Sequence, residues 1–269
     1  MPYQSDLVYR YDGSFDGLLC CVFESYHQQE IPSDILGPGE GQAMLFPAKE
    51  IATDEQRARR VRVSIPEKMG SAVLEFVQRA FLTCLPRKEL YILLFLRLGY
   101  RHGPSVLDML TDEVVDALHK AVTYLEKESH LLTGFVRFSV ANNALTARIE
   151  PNNYVLPLLA RHFCDRYREE RFLIHDQTHG MALIYQPYRH LIIPVEDLQL
   201  PEPDEEEIAF RELWRLFYNT IAVEGRLNPK GRQNHMPKRY WKYLTEFGSG
   251  ESARHPRRLE RGDSPPVPN

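Results

Sequence analysis

The chain has 269 residues, 43% of them apolar and 26% charged, which supplies a real core in one large domain or two medium ones and excludes a low-complexity or wholly disordered polymer. A formal charge of −4 excludes polyanion binding spread over the whole surface, so any nucleic-acid contact must be local. The longest apolar run, residues 90–96, is far too short to span a bilayer and the N-terminus has no basic-then-apolar leader, so a cytoplasmic protein without membrane association is expected.

In chain order, residues 7–11 predict a short strand, closed by the turn Asp12-Gly13. Ser14 then caps a helix whose apolar positions Leu18, Leu19, Val22, Phe23 and Tyr26 recur at helical spacing. Residues 31–47, rich in Gly and Pro, read as a loop. Thr53 and Gln56 form a capping box ahead of Arg57, Arg59, Arg60 and Arg62. Pro66 opens the next helix, through Met69, Val73, Phe76, Val77 and Phe81, and a further helix covers residues 88–98. Leu107, Leu110, Val114, Leu118, Ala121, Val122 and Leu125 keep one face as far as His130.

There the period changes from helical to alternating. Residues 135–140 and 145–149 flank the hairpin turn Asn142-Asn143, residues 155–167 predict a helix despite Pro157, and residues 172–175, 181–185 and 191–194 predict three more strands. Residues 205–223 are apolar nearly all round (Ile208, Phe210, Leu213, Trp214, Phe217, Ile221), which implies a buried helix. The expected fold is α+β, with antiparallel β-hairpins and helices packed on one face. It forms a single domain over residues 1–247, helical over residues 1–131 and mixed over residues 132–247, followed by a disordered tail over 248–269 rich in Arg, Ser and Pro.

The four cysteines, Cys20, Cys21, Cys84 and Cys164, fit no zinc, iron–sulfur or disulfide spacing, so free thiols in a reducing compartment, no metal and no cofactor are expected. Phosphate-cradling, dinucleotide-binding, nucleophile-elbow and zinc-deaminase motifs are absent from the sequence. His175-Asp176-Gln-Thr-His179-Gly180 has a His pair at ligand spacing, but its flanks alternate as strands. The segment therefore reads as a hairpin turn, with acid–base chemistry at His175 or Asp176 the competing reading. Glu150 and His162 stand likewise between an acid–base and a hydrogen-bonded structural role.

Between Gly225 and Tyr243 lie six fixed cations, Arg226, Lys230, Arg232, Lys238, Arg239 and Lys242, without one acid, and Tyr240, Trp241 and Tyr243 sit among them. Cations neutralise phosphates and flat rings stack on exposed bases, so the block is a candidate contact for nucleic acid, single-stranded above all. The competing reading is a solvated basic loop whose rings pack onto the domain.

Four segments, in this order and spacing, resemble a bacterial family assigned to DNA metabolism or DNA repair and built on a conserved domain of unknown function. They are Tyr9-x-Tyr-Asp-Gly-Ser-Phe-x-Gly-Leu-Leu19; Thr53-Asp54 with Ala58-x-x-Val61; Gly134-Phe-x-Arg-Phe138 leading to Ile149-Glu-Pro151 and Val155-Leu-Pro-Leu-Leu-Ala-Arg-His-Phe163; and Met236-Pro-Lys-Arg-Tyr-Trp-Lys-Tyr-Leu-Thr-Glu246. The resemblance implies a partner, a radical-SAM protein of DNA modification or repair, and related domains occur fused to a uracil-DNA-glycosylase-like domain. It supplies no catalytic residues. His179 stands where the family is expected to carry Arg, which weighs against an obligatory His175/His179 metal pair. Three functions compete: a DNA-binding accessory of a radical-SAM enzyme, a nuclease or base-processing enzyme in its own right, and a protein-interaction module.

Overall fold

Ser14 caps the first helix, α1 (Phe15–His27), as its sequence requires: its hydroxyl accepts the Gly17 N–H at 2.9 Å. The computed structural model describes residues 3–39, 46–141, 143–195, 198, 205–220 and 236–245. Around α1 lie the short strands β1 (Tyr3–Gln4), β2 (Val8–Arg10), β3 (Glu30–Ile31), β4 (Asp34–Leu36) and β5 (Ala48–Glu50). β2 pairs with both β4 and β5, in parallel, so the supposed loop over residues 31–47 contains a sheet strand. Three residues are too few for alternation to show in a sequence.

Helices α2 (Glu55–Met69), α3 (Ser71–Phe81) and α4 (Lys88–His102) pack on α1 around Leu18, Leu19, Ile65, Val77, Leu93 and Phe95. Two expected boundaries move. Asp54, not Thr53, caps α2 by accepting the Arg57 N–H at 2.8 Å, because the Thr53 hydroxyl is committed to Asp12 at 2.7 Å. Pro66 lies inside α2 rather than opening a helix; the break falls at Gly70, whose φ of 88° suits a residue without Cβ. After a 3-10 turn (Gly103–Asp108) comes α5 (Glu113–Phe135), which places Leu118 and Val122 in the first core and Leu125 and Leu132 in a second.

The second core belongs to a five-stranded sheet of β6 (Ser139–Ala141), β7 (Ala144–Ile149), β8 (Phe172–Asp176), β9 (Met181–Gln186) and β10 (Arg189–Pro194), in the order β10-β9-β8-β7-β6. The helix α5 runs on to Phe135, and after three residues in neither element β6 begins only at Ser139, so it is shorter than expected. The hairpins β6/β7, β8/β9 and β9/β10 are antiparallel as expected, but β7 and β8 are parallel, with Ile149 opposite Asp176. The all-antiparallel expectation for these strands is therefore corrected. The helix between them, α6 (Leu156–Arg166), is the crossover that lets neighbouring strands run the same way.

Helix α6 covers one face of the sheet with Leu156, Leu159, Ala160 and Phe163 packed against Phe172, Ile174, Leu183 and Tyr185. On the other face Ile184, Leu191 and Ile193 are exposed, whereas His175 and Ala182 are buried. Helix α7 (Glu205–Thr220) corrects a second expectation, since Ile208, Phe210, Leu213, Trp214 and Leu216 are exposed rather than buried. Arg211, paired within the helix with Glu207 at 2.8 Å, reaches from α7 to the Ser139 hydroxyl on β6. The side chain of Phe217, residue Ile221 and the expected tail from 248 onward lie outside the described residues. Among those described, no helix is long and apolar enough to cross a membrane.

Candidate functional site

Because β7 and β8 are parallel, the residues that follow them leave the sheet at one edge, the position where parallel units commonly present ligand-binding loops. The Gln177 N–H donates to the Ile149 carbonyl at 3.0 Å and ties the two exits together. Asp176, fully buried, ends β8. One carboxylate oxygen accepts the Thr178 and His179 N–H groups at 3.1 and 3.2 Å, and the other lies 2.7 Å from His179 Nδ1. Gly180 completes the turn at a φ of 61°, so this segment is the turn its flanks predicted.

The carboxylate on Nδ1 fixes the imidazole and leaves Nε2 as the nitrogen able to exchange a proton with a bound molecule. His179 is partly exposed, and the Tyr154 ring stands 5.4 Å from it. Burial, then the charge of Asp176, raises the Tyr154 hydroxyl above its ordinary range, which keeps it protonated. The sequence pattern undervalues both residues: spacing offers His179 only as a metal ligand, and no motif marks Tyr154.

Of the four sequence candidates, Glu150 and Asp176 come to this edge and His162 and His175 do not. His175 neighbours Asp176 on β8, so its side chain points to the opposite face. It is buried with Nδ1 unpartnered, and burial, reinforced by Arg148, holds its pKa below the ordinary histidine value against the pull of Asp176. His162 stands about 9 Å along α6 from Leu156, its Nε2 also buried without a partner and its ring edge-on to Phe163.

The basic-aromatic block enters as a 3-10 helix (Lys238–Tyr243) laid over the same edge. Glu150 accepts from Lys242 Nζ at 2.7 Å and from the Tyr243 hydroxyl at 2.5 Å, and that hydroxyl also lies 2.6 Å from Gln177 Oε1. The Lys242 hydrogen bond, then that of Tyr243, holds the Glu150 carboxyl below its ordinary range. Arg239 lies 3.0 Å from the fully buried carboxylate of Glu128 and donates to the Tyr124 hydroxyl at 2.7 Å. Tyr240 is buried, which pushes its hydroxyl up to about 12.

Glu128 also accepts from the N–H of Asn152 at 3.1 Å, the N–H of Asn153 at 2.8 Å and the Asn153 amide at 2.7 Å. It therefore anchors both the loop after β7 and the 3-10 helix. A carboxylate placed between Leu125 and Leu132 on the buried side of α5 was the signal for it in the sequence. Lys238 is exposed, 6.0 Å from the ring of the half-buried Trp241, whose indole N–H donates to the Met236 carbonyl at 2.9 Å. Arg226, Lys230 and Arg232 lie outside the described residues. Among the described residues no group of three or more His, Cys, Asp or Glu is placed to hold a metal ion, and Cys20 and Cys21 are buried free thiols.

Residues 86–246 match the family described as a domain of unknown function, DUF4130. The chain belongs to that family. The DUF4130 region takes in every residue of the edge just described, from Glu128 through Asp176 and His179 to Tyr243. Among solved structures the chain is similar to the pGpG-specific phosphodiesterase PggH from Vibrio cholerae, with a TM-score of 0.31 and 13% identity, over 68% of this chain and 81% of that one. No curated protein matches.

Proposed function

We propose that this DUF4130 protein is an accessory of DNA metabolism or repair that binds single-stranded DNA and works with a radical-SAM enzyme. The observation that carries DNA binding is the way the basic-aromatic block is held. Arg239, Tyr240 and Lys242 anchor it to Glu128 and Glu150, while Lys238 stands exposed beside the Trp241 ring at the surface. An anchored ring next to an exposed ammonium offers a stacking plane and a phosphate partner without a large ordering cost. Arg226, Lys230 and Arg232 extend the same contact in the sequence. The radical-SAM partnership is supported by the family resemblance of the four sequence segments.

The test pairs two variants, Lys238→Ala and Trp241→Ala, each measured for salt-dependent binding of a single-stranded oligonucleotide and for thermal stability. Loss of the ammonium should lower the salt slope by about one, and loss of a stacking ring should cost about 1–3 kcal/mol of binding. Unchanged binding by both variants at every salt concentration would refute the contact. Co-purification from the native host tests the partner.

A second reading, an enzyme in its own right, is favoured by one specific feature: Glu150 and Asp176 meet at a single edge beside the block, with Asp176 orienting His179. In such a pair the carboxylate fixes the ring and Nε2 takes or gives the proton. Asp176→Asn and His179→Ala should both abolish any nuclease or base-release activity on single-stranded DNA. Full activity in either variant rules the dyad out.

A further inference from the structure

A second cluster of rings and arginines lies on the opposite half of the molecule, where α1, α2 and α4 meet. A cleft of about 320 Å³ opens there, lined by Phe23, Tyr26, Arg60, Ser64 and Tyr100 among others. That volume falls at the lower end of the roughly 300–1,000 Å³ of small-ligand sites. The Phe23 ring stacks on His27 at 6.0 Å and 18°, and Tyr26 meets Tyr100 edge-on at 5.3 Å.

Cations rim these rings. Arg57 and Arg60 lie 5.3 and 5.5 Å from the Phe23 centroid, and Arg97 lies 4.6 Å from that of Tyr26. Arg101 is close enough for its charge to act on the Tyr26 hydroxyl. Residues 56–66 and 90–107 contain no acid. The carboxylate facing this rim is Glu24, which is buried and already held by Lys49 at 2.8 Å, with Arg57 at 3.6 Å. An arginine over a ring can serve merely to shield it. Four of them around an open aromatic cleft, with the Glu24 carboxylate already paired, leave a positive rim on a surface made to take a flat ring.

We infer that this cleft binds one unstacked base of a single-stranded nucleic acid, with the flanking phosphates on Arg57, Arg60, Arg97 and Arg101. The base slides between Phe23 and the Tyr26/Tyr100 pair, and the backbone runs along the arginine rim. The ligand class is that of the proposed function, but the residues are separate. One strand can therefore be held at two places on the protein, or this cleft can bind where the C-terminal block does not.

The experiment uses the full chain with fluorescein-labelled dT12 and rU12, titrated from 50 to 300 mM salt. The proteins are wild type, Arg57→Gln/Arg60→Gln, Tyr26→Ala, and Lys238→Ala/Trp241→Ala. All three cleft positions are exposed, so native melting of these variants is expected and is checked by circular dichroism. The arginine pair should lower the salt slope by about two, and Tyr26→Ala should weaken binding about tenfold, within the range of a lost base stack. Cross-linking of an oligonucleotide carrying 5-iodouracil should mark Phe23 or Tyr26 by mass spectrometry. Tighter binding of dT12 or of rU12 names the sugar, and either supports the site.

Normal affinity and slope in the natively melting arginine variant would overturn the inference. So would competition by polyglutamate as effective as by unlabelled dT12, which would make the rim a charged patch and nothing more. Loss of binding confined to Lys238→Ala/Trp241→Ala sinks the cleft and leaves the proposed function standing; loss confined to the cleft variants does the reverse.

Discussion

Replacing Glu128 by Ala should detach the C-terminal 3-10 helix. The Glu128 side chain is 0% exposed and that of Arg239 36%, at 3.0 Å. Breaking a buried pair costs about 3–5 kcal/mol when a charge is left stranded. Here Arg239, more than a third exposed, can turn to water, so its share is small. The larger share comes from the Asn153 backbone N–H and amide, which lose their acceptor in a buried place at roughly 1–3 kcal/mol each. A total of about 3–5 kcal/mol follows, or a drop in melting temperature on the order of 6–15 °C for a chain of this size. Arg239→Ala should cost less, about 1–2 kcal/mol, because three N–H donors still hold the carboxylate. The measurements are urea unfolding and Trp241 fluorescence in a Trp214→Phe background, the chain having two tryptophans. Emission from Trp241 should shift to the red in Glu128→Ala under native conditions. A cost below about 1 kcal/mol, or an unshifted emission, would refute the reasoning.

His175 supplies a pH test. Its folded pKa lies below the unfolded value of 6.5, so the unfolded chain takes up the proton first as pH falls. Stability should therefore be complete above 6.5 and decline below it, and His175→Leu should flatten that decline in unfolding curves at pH 7.5 and 5.5. Asp176→Asn should cost about 1–3 kcal/mol, since a fully buried carboxylate holds two N–H groups and His179, and NMR should show the His179 ring released. Exposed Leu191→Lys on the sheet should change stability by no more than about 0.5 kcal/mol, whereas Phe163→Ala on the buried face of α6 should cost about 3–5 kcal/mol in the same denaturation assay.

Helices with a long apolar stripe were legible in the sequence. α4 falls close to where periodicity places it. Helix α5 keeps the stripe from Val114 onward but starts at Glu113 and runs on to Phe135, leaving Leu107 and Leu110 in turns. Gly180 closes the turn that the alternation around it demanded. What failed to show depends on partners distant in the chain. The parallel pairing of β7 with β8 follows from α6 acting as a crossover, and no residue of either strand encodes direction. Thr53 lost the capping role to Asp54 because Asp12, 41 residues away, takes its hydroxyl. Helix α7 misled because apolar residues all round a helix say that something covers it and nothing about what. At the site, Glu150 and Asp176 stood out as acids next to strand ends, but the orientation of His179 by Asp176 needed the turn geometry. Glu128 needed the observation that its stripe faces inward.

The DUF4130 region starts at residue 86, just ahead of α4, while the buried side chains Leu90, Ile92, Leu93, Phe95 and Leu96 of that helix belong to the core built with α1, α2 and α3. A fragment cut at this boundary would bare five large apolar groups, each worth about 1.5–3 kcal/mol when buried. Their sum, roughly 7–15 kcal/mol, is as large as the entire stability of an ordinary domain. The stretch that sequence comparison picks out as a unit is therefore not one that can be expressed as a unit. Any vector designed for the family region must carry the first 85 residues with it, or its product will meet the cell's proteases before it meets a ligand.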